Sequence, residues 1–149
     1  MIRKKDEAHY SAESLGLNVL AEDDLFRWFL LSYLFGKPIQ STVALETWRV
    51  LMANHLDTPW ALLKLKHRQL VRLLDKGKYV RYDESTARAI HTCMDQLVRE
   101  YDGSLLMMIE ASRDEDELSQ RLQELYGVGA KVAEIFMRET EEYFARRTE

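Results

Sequence analysis

Cysteine occurs once in the 149 residues, as Cys93, and that scarcity removes several classes of protein at once. One thiol makes no internal disulfide, no thiolate zinc site and no cysteine-held iron–sulfur cluster. Two prolines and six glycines leave little material for a succession of tight turns. No stretch alternates apolar and polar residues in the manner of a half-buried strand. The longest apolar run, Trp28 to Phe35, is interrupted by Ser32 and is too short to span a membrane. At the N-terminus, Met1-Ile2-Arg3-Lys4-Lys5 is followed by Asp6 and Glu7, where a signal peptide needs an apolar core. The expectation is a cytoplasmic chain with no membrane partner, no metal and no cofactor.

What is present is ordinary globular chemistry, with 46% apolar and 31% charged residues. Residues 1–21 are polar and irregular and read as an N-terminal arm, extended or partly mobile. Residues 22–149 read as one all-α domain of about seven or eight helices. Glu22-Asp23-Asp24 supplies acids for a helix start, and the nearly unbroken apolar run behind it reads as a helix buried on most sides. Pro38 suits the first turn of a second helix, whose apolar side is Val43, Leu45, Trp48, Leu51 and Met52. Thr58-Pro59 has the form of an N-cap followed by proline at the first helical position. Leu70 to Leu74 lie on a helix that Gly77 ends, as a left-handed cap. Asp83 or Ser85 is placed to cap a long helix that runs to about Tyr101. Leu105 to Ile109 form a short turn, and Ser112-Arg113-Asp114-Glu115 fits a capping box. A final helix runs from Ala130 to about Arg146.

The net charge of −4 is uninformative until it is divided. Between Lys64 and Arg81 stand seven bases and one acid, Asp75, so this segment carries +6 and the remainder −10. Such a segment is either a solvated helix face or a surface that meets phosphate.

The most informative stretch is Leu125-Tyr126-Gly127-Val128-Gly129-Ala130-Lys131-Val132-Ala133. It reads as a helix, a tight turn with glycines two apart, and a second helix starting at once. Val128 points inward and Ala133 is small where two helices approach. The first-turn amides of the second helix then face outward as an anion site. This arrangement resembles the helix-hairpin-helix motif. Its surroundings, from about Leu25 to Met137, resemble the core of the helix-hairpin-helix (HhH-GPD) DNA glycosylase superfamily of the endonuclease III type. Leu30-Leu31-Ser32, Thr58-Pro59-Trp60-Ala61-Leu62, the Gly77–Tyr79 corner and Tyr101-Asp102-Gly103 carry the resemblance in the same order along the chain.

The resemblance implies a compact helical DNA-binding domain linked to DNA repair, with double-stranded DNA held through its backbone without regard to sequence. The residues it points to are Gly127, Val128, Gly129, Ala130 and Lys131 at the hairpin. The basic corner adds Lys76, Lys78, Tyr79 and Arg81, with Tyr82 as a further aromatic able to stack on bases. Lys131 stands where catalytic members carry the lysine that attacks the sugar, so an active glycosylase or abasic-site lyase is a second reading. A protein-interaction scaffold that keeps only the fold is a third. The pattern also departs from the family. Tyr126 stands in place of a proline and Leu34 in place of a glutamine. No acid among Glu139, Glu141, Glu142 and Glu149 clearly takes the place of the catalytic aspartate, which implies little or no base excision. The histidines His9, His55, His67 and His91 lack metal-ligand spacing, and Trp28, Trp48 and Trp60 fall on apolar faces and read as core.

Overall fold

The structure, a computed structural model, describes residues 10–148. Over these residues it is helical, without a strand. Nine α-helices follow one another: α1 Glu22–Leu34, α2 Ser41–Ala53, α3 Pro59–Lys64, α4 His67–Lys76, α5 Asp83–Tyr101, α6 Leu105–Ala111, α7 Glu115–Gln123, α8 Ala130–Met137 and α9 Glu141–Ala145. Short 3-10 turns stand at Glu13–Leu15 and Arg146–Thr148. Among the described residues, no helix is long and apolar enough to cross a membrane.

Helix α1 is the axis of the molecule. From Leu25 to Phe35 every residue except Arg27 is buried, and α2, α6 and α8 pack around it. A helix apolar on all sides has to be enclosed by others, so its composition dictates its central place. Two indoles tie its neighbours to it: Trp28 Nε1 donates to the Phe136 carbonyl at 3.1 Å, and Trp48 Nε1 to the Arg27 carbonyl at 2.8 Å. Phe29 meets Phe136 edge-on with centroids 5.5 Å apart, a favoured aromatic geometry. Helices α3 and α4 lie against α5, which forms the opposite wall.

Local signals are met where the chemistry is local. The Thr58 hydroxyl accepts from the Ala61 amide at 3.1 Å, with Pro59 opening α3. Other boundaries shift. Helix α2 starts at Ser41, after Pro38 rather than on it. The cap of α7 is Asp114, whose carboxylate accepts from the Glu117 amide at 2.9 Å while Glu117 accepts from the Arg113 amide at 2.7 Å. Ser112 instead closes α6, its buried hydroxyl donating to the Met108 carbonyl.

Gly77 also ends α4 for a different reason. Its φ is −84°, and the left-handed residue is Lys78 at 74°. A Cβ at Gly77 would lie 2.4 Å from the Thr47 Cα, so the glycine is there to let α4 touch α2. The expected last helix is interrupted at Arg138–Thr140. The amides of Glu139 and Thr140 bond three residues back, Thr140 is buried, and the chain turns so that the Tyr143 hydroxyl reaches the Val19 carbonyl at 2.5 Å.

Of the N-terminal arm, residues 1–9 lie outside the described residues. Beyond them, Ala12 is buried, Leu15, Leu17 and Val19 pack on the core, and Tyr10 stacks on Phe35 with centroids 6.4 Å apart.

Candidate nucleic-acid interface

Helices α7 and α8 form the hairpin, joined by residues 124–129. Leu122, Leu125, Val128, Val132 and Ala133 are all buried and hold the two helices together from inside, as the sequence implies. The Val128 amide donates to the Leu125 carbonyl at 3.1 Å, which closes the turn. Gly127, Gly129, Ala130 and Lys131 are exposed.

The two glycines have different reasons to be there. Gly127 has a φ of +82°, and a Cβ on it would stand 2.1 Å from the Tyr33 hydroxyl oxygen. That hydroxyl donates to the Tyr126 carbonyl at 2.8 Å and so clamps the turn to the C-terminal end of α1. Gly127 is therefore required by both backbone conformation and space. Gly129 is extended, with φ −100° and ψ −170°, and a Cβ there meets nothing within 4 Å. Nothing inside the chain calls for glycine at this position. Gly129 is the N-cap of α8 and offers no side chain to its first-turn amides; its carbonyl receives the Ala133 amide at 3.1 Å. The positive end of α8 thus opens toward solvent. Gln96 on α5 braces the approach, accepting from the Tyr126 amide at 2.6 Å and donating to the Glu124 carbonyl at 3.2 Å.

Beside the hairpin lies a cavity of about 220 Å³ whose lining includes Gly127, Tyr126, Tyr33, Lys37, Tyr79 and Ser85. Of the basic corner, Tyr79 reaches this cavity, whereas Lys76, Lys78 and Arg81 do not line it. The corner is not arranged as the sequence suggests. Tyr79 is only 1% exposed, and its hydroxyl donates to the Leu34 carbonyl at 2.7 Å, so it belongs to the core and presents no ring to a ligand. Its place on the surface is taken by Tyr82, half-buried between the Lys37 ammonium and the Arg81 guanidinium, 5.5 and 5.4 Å from its ring centre. Sequence reasoning does not single out Lys37. Its signal is its place straight after the buried helix, where the chain must emerge.

Lys76, Lys78 and Arg81 are exposed, as are Lys64, Lys66, Arg68 and Arg72. Arg68, Arg72 and Lys76, four residues apart, form one stripe along α4 opposite buried Leu70 and Leu74. Lys78 lines a second groove with Arg49 and Glu46. Asp75, the one acid of the segment, stands against Asp83; proton sharing with that carboxyl, with burial, raises the Asp75 carboxyl above its ordinary value. Burial likewise pushes the phenols of Tyr33 and Tyr79 and the thiol of Cys93 upward, so none is an acid–base group at neutral pH.

Acids flank the hairpin as well: Glu124 precedes it and exposed Glu134 follows on α8. Glu149 lies outside the described residues. Among the described residues no three His, Cys, Asp or Glu side chains come together as a metal-ligating group. His91 is half-buried on α5, with Nε2 3.1 Å from the Leu62 carbonyl. Trp60 is not core: it is 49% exposed. Compared with known proteins, the chain matches no family model, no curated protein sequence and no solved structure.

Proposed function

We propose that this chain is a duplex DNA-binding protein of the helix-hairpin-helix glycosylase type, linked to DNA repair, which holds a backbone phosphate at Gly127–Lys131. One observation carries the reading. A glycine turn clamped through Tyr33 aims the uncapped, exposed start of α8 outward, beside a cavity that Lys37 lines. Amides at a helix start recognise phosphate by charge and direction, and read no base. The exposed cations of the Lys64–Arg81 segment supply further phosphate contacts, and Tyr82 stands against one of them, Arg81, and against Lys37. Glu124 and Glu134 oppose the anion, so the affinity is modest and falls steeply with salt.

The test is a titration of fluorescent duplex DNA across a series of salt concentrations. Wild type shows a linear fall of log affinity with log salt, equal for unrelated sequences. Lys131→Gln lowers the slope by about one unit, as the loss of one phosphate contact requires. Absence of binding at low salt refutes the reading. Borohydride trapping on abasic duplex addresses the lyase alternative: Lys131 is exposed to solvent, and the expected result is slow nicking at most, abolished by Lys131→Ala. Robust release of a damaged base instead establishes an active glycosylase.

A further inference from the structure

The opposite end of α1 carries a second surface of contrary character. The hairpin is clamped to the C-terminal end of α1, whereas Glu22, Asp23 and Phe26, at its start, line a groove of about 320 Å³. The 13 residues of the helix place these two surfaces about 18 Å apart along its axis. Trp60 lines the groove. The benzo end of its indole lies against Gly103, so close that a Cβ there would come within 2.4 Å of a ring carbon. Much of the rest is open, leaving Trp60 half exposed while Trp28 and Trp48 are buried. Met107, also exposed, stands in the same groove.

Four carboxylates, Glu22, Asp23, Asp57 and Asp102, line the groove, and among the described residues no lysine or arginine does. Arg27 reaches Asp57 at 2.7 Å but shares its charge with Asp24 at 2.6 Å, so the surroundings keep a net negative charge. A half-exposed tryptophan costs folding energy that burial elsewhere would regain. An indole face ringed by carboxylates is complementary to one chemistry, a cation carried on an apolar stem. A neutral apolar peptide leaves the carboxylates unpaired, and an acidic one is repelled. A comparable acidic cleft, lined by Glu115, Asp116, Glu134 and Glu141, includes Arg138 and no aromatic residue, and it serves as an internal control.

We propose that the Trp60–Met107 groove is a docking site for an arginine- or lysine-bearing segment of a partner protein, one cationic side chain lying over the Trp60 indole between Asp57 and Asp102. The site does not depend on the DNA reading, and its position leaves the hairpin unobstructed.

The probe is a hexa-arginine peptide, with hexa-glutamate as control, followed by fluorescein anisotropy and, unlabelled, by intrinsic tryptophan emission. Hexa-arginine is expected to bind at low salt and to change the Trp60 emission, and hexa-glutamate to do neither. Trp60→Ala weakens binding about fivefold and removes the emission change, the size of one cation–π contact. Asp23→Asn with Asp102→Asn weakens it by a similar factor, while the charge-matched pair Asp116→Asn with Glu134→Gln leaves it within about twofold. Asparagine suits the left-handed backbone of residue 102, at φ 56°, so the double variant keeps the turn. Equal weakening by the two double variants reduces the effect to bulk charge and overturns the proposal. So does unchanged Trp60 emission. Concentration-dependent self-association by sedimentation that Trp60→Ala abolishes also overturns it, making a second copy the occupant.

Discussion

The two glycines of the hairpin separate fold from function by a single experiment. Gly127→Ala forces an L side chain into φ +82°, which costs about 1–2 kcal/mol for an ordinary residue. The added Cβ also stands 2.1 Å from the Tyr33 hydroxyl, which has to move. Moving it breaks the bond to the Tyr126 carbonyl and leaves a largely buried phenol without that partner, a further loss of about 1–3 kcal/mol. The expected destabilisation is then about 2–5 kcal/mol, a large fraction of the total for a domain of this size. Gly129→Ala meets open space at an extended backbone, and removing a glycine there is neutral or stabilising by up to about 1 kcal/mol. Urea denaturation followed by circular dichroism gives both values. The DNA titration gives the complement: Gly129→Ala keeps the fold but sets a methyl group at the mouth of the proposed phosphate site, and the expected outcome is weaker binding. A Gly127→Ala loss below about 1 kcal/mol, or an equal loss at Gly129, refutes the assignment of the turn. Adding Tyr33→Phe to Gly127→Ala restores only part of the stability, because the ring carbon behind the hydroxyl is itself 2.8 Å from the new Cβ.

Gly77→Ala places a Cβ 2.4 Å from the Thr47 Cα, backbone that cannot swing aside, so α4 has to leave α2. The loss is expected at the top of the overpacking range, about 3 kcal/mol or more, by thermal or urea melting; a loss near zero removes the close approach as the reason for the glycine. Asp75→Asn raises stability at pH 7. The Asp75 carboxyl is held above its ordinary value of 3.8 by Asp83, so its favourable contribution is complete only below that value and is lost as pH rises. The gain from asparagine therefore shrinks as the melting series is taken into acid, and destabilisation at pH 7 or a pH-independent effect contradicts the pairing. Cys93 is fully buried, and burial raises its thiol, so a thiol reagent at pH 8 labels the native protein only at the rate of unfolding. Rapid stoichiometric labelling of the folded protein is the contrary result.

Much of the architecture is legible in local chemistry. The apolar run from Leu25 to Phe35 has no polar face, so it has to be the enclosed helix. Thr58-Pro59 caps its own helix within three residues. Leu125, Val128 and Val132 face inward by helical spacing and turn geometry alone. These signals act between residues a few positions apart, and short-range sterics and hydrogen bonds suffice to read them.

The sequence by itself determined the helical class, the central helix, the hairpin and the concentration of positive charge between Lys64 and Arg81. Only the tertiary structure decided which aromatic is surface and which is core. Tyr79 and Tyr82 look alike in sequence, but the Tyr79 hydroxyl finds the Leu34 carbonyl 45 positions away and is drawn inside. Trp60 lies among apolar neighbours, yet it stays half exposed, with the benzo end of its ring against Gly103. Gly77 serves a contact with Thr47, and Gly127 a contact with Tyr33, neither of which is written in the residues beside them. The physical reason is common to these cases. Periodicity fixes which side of a helix is apolar, but a close contact depends on where another helix comes to rest, and that position is set by the packing of the whole core.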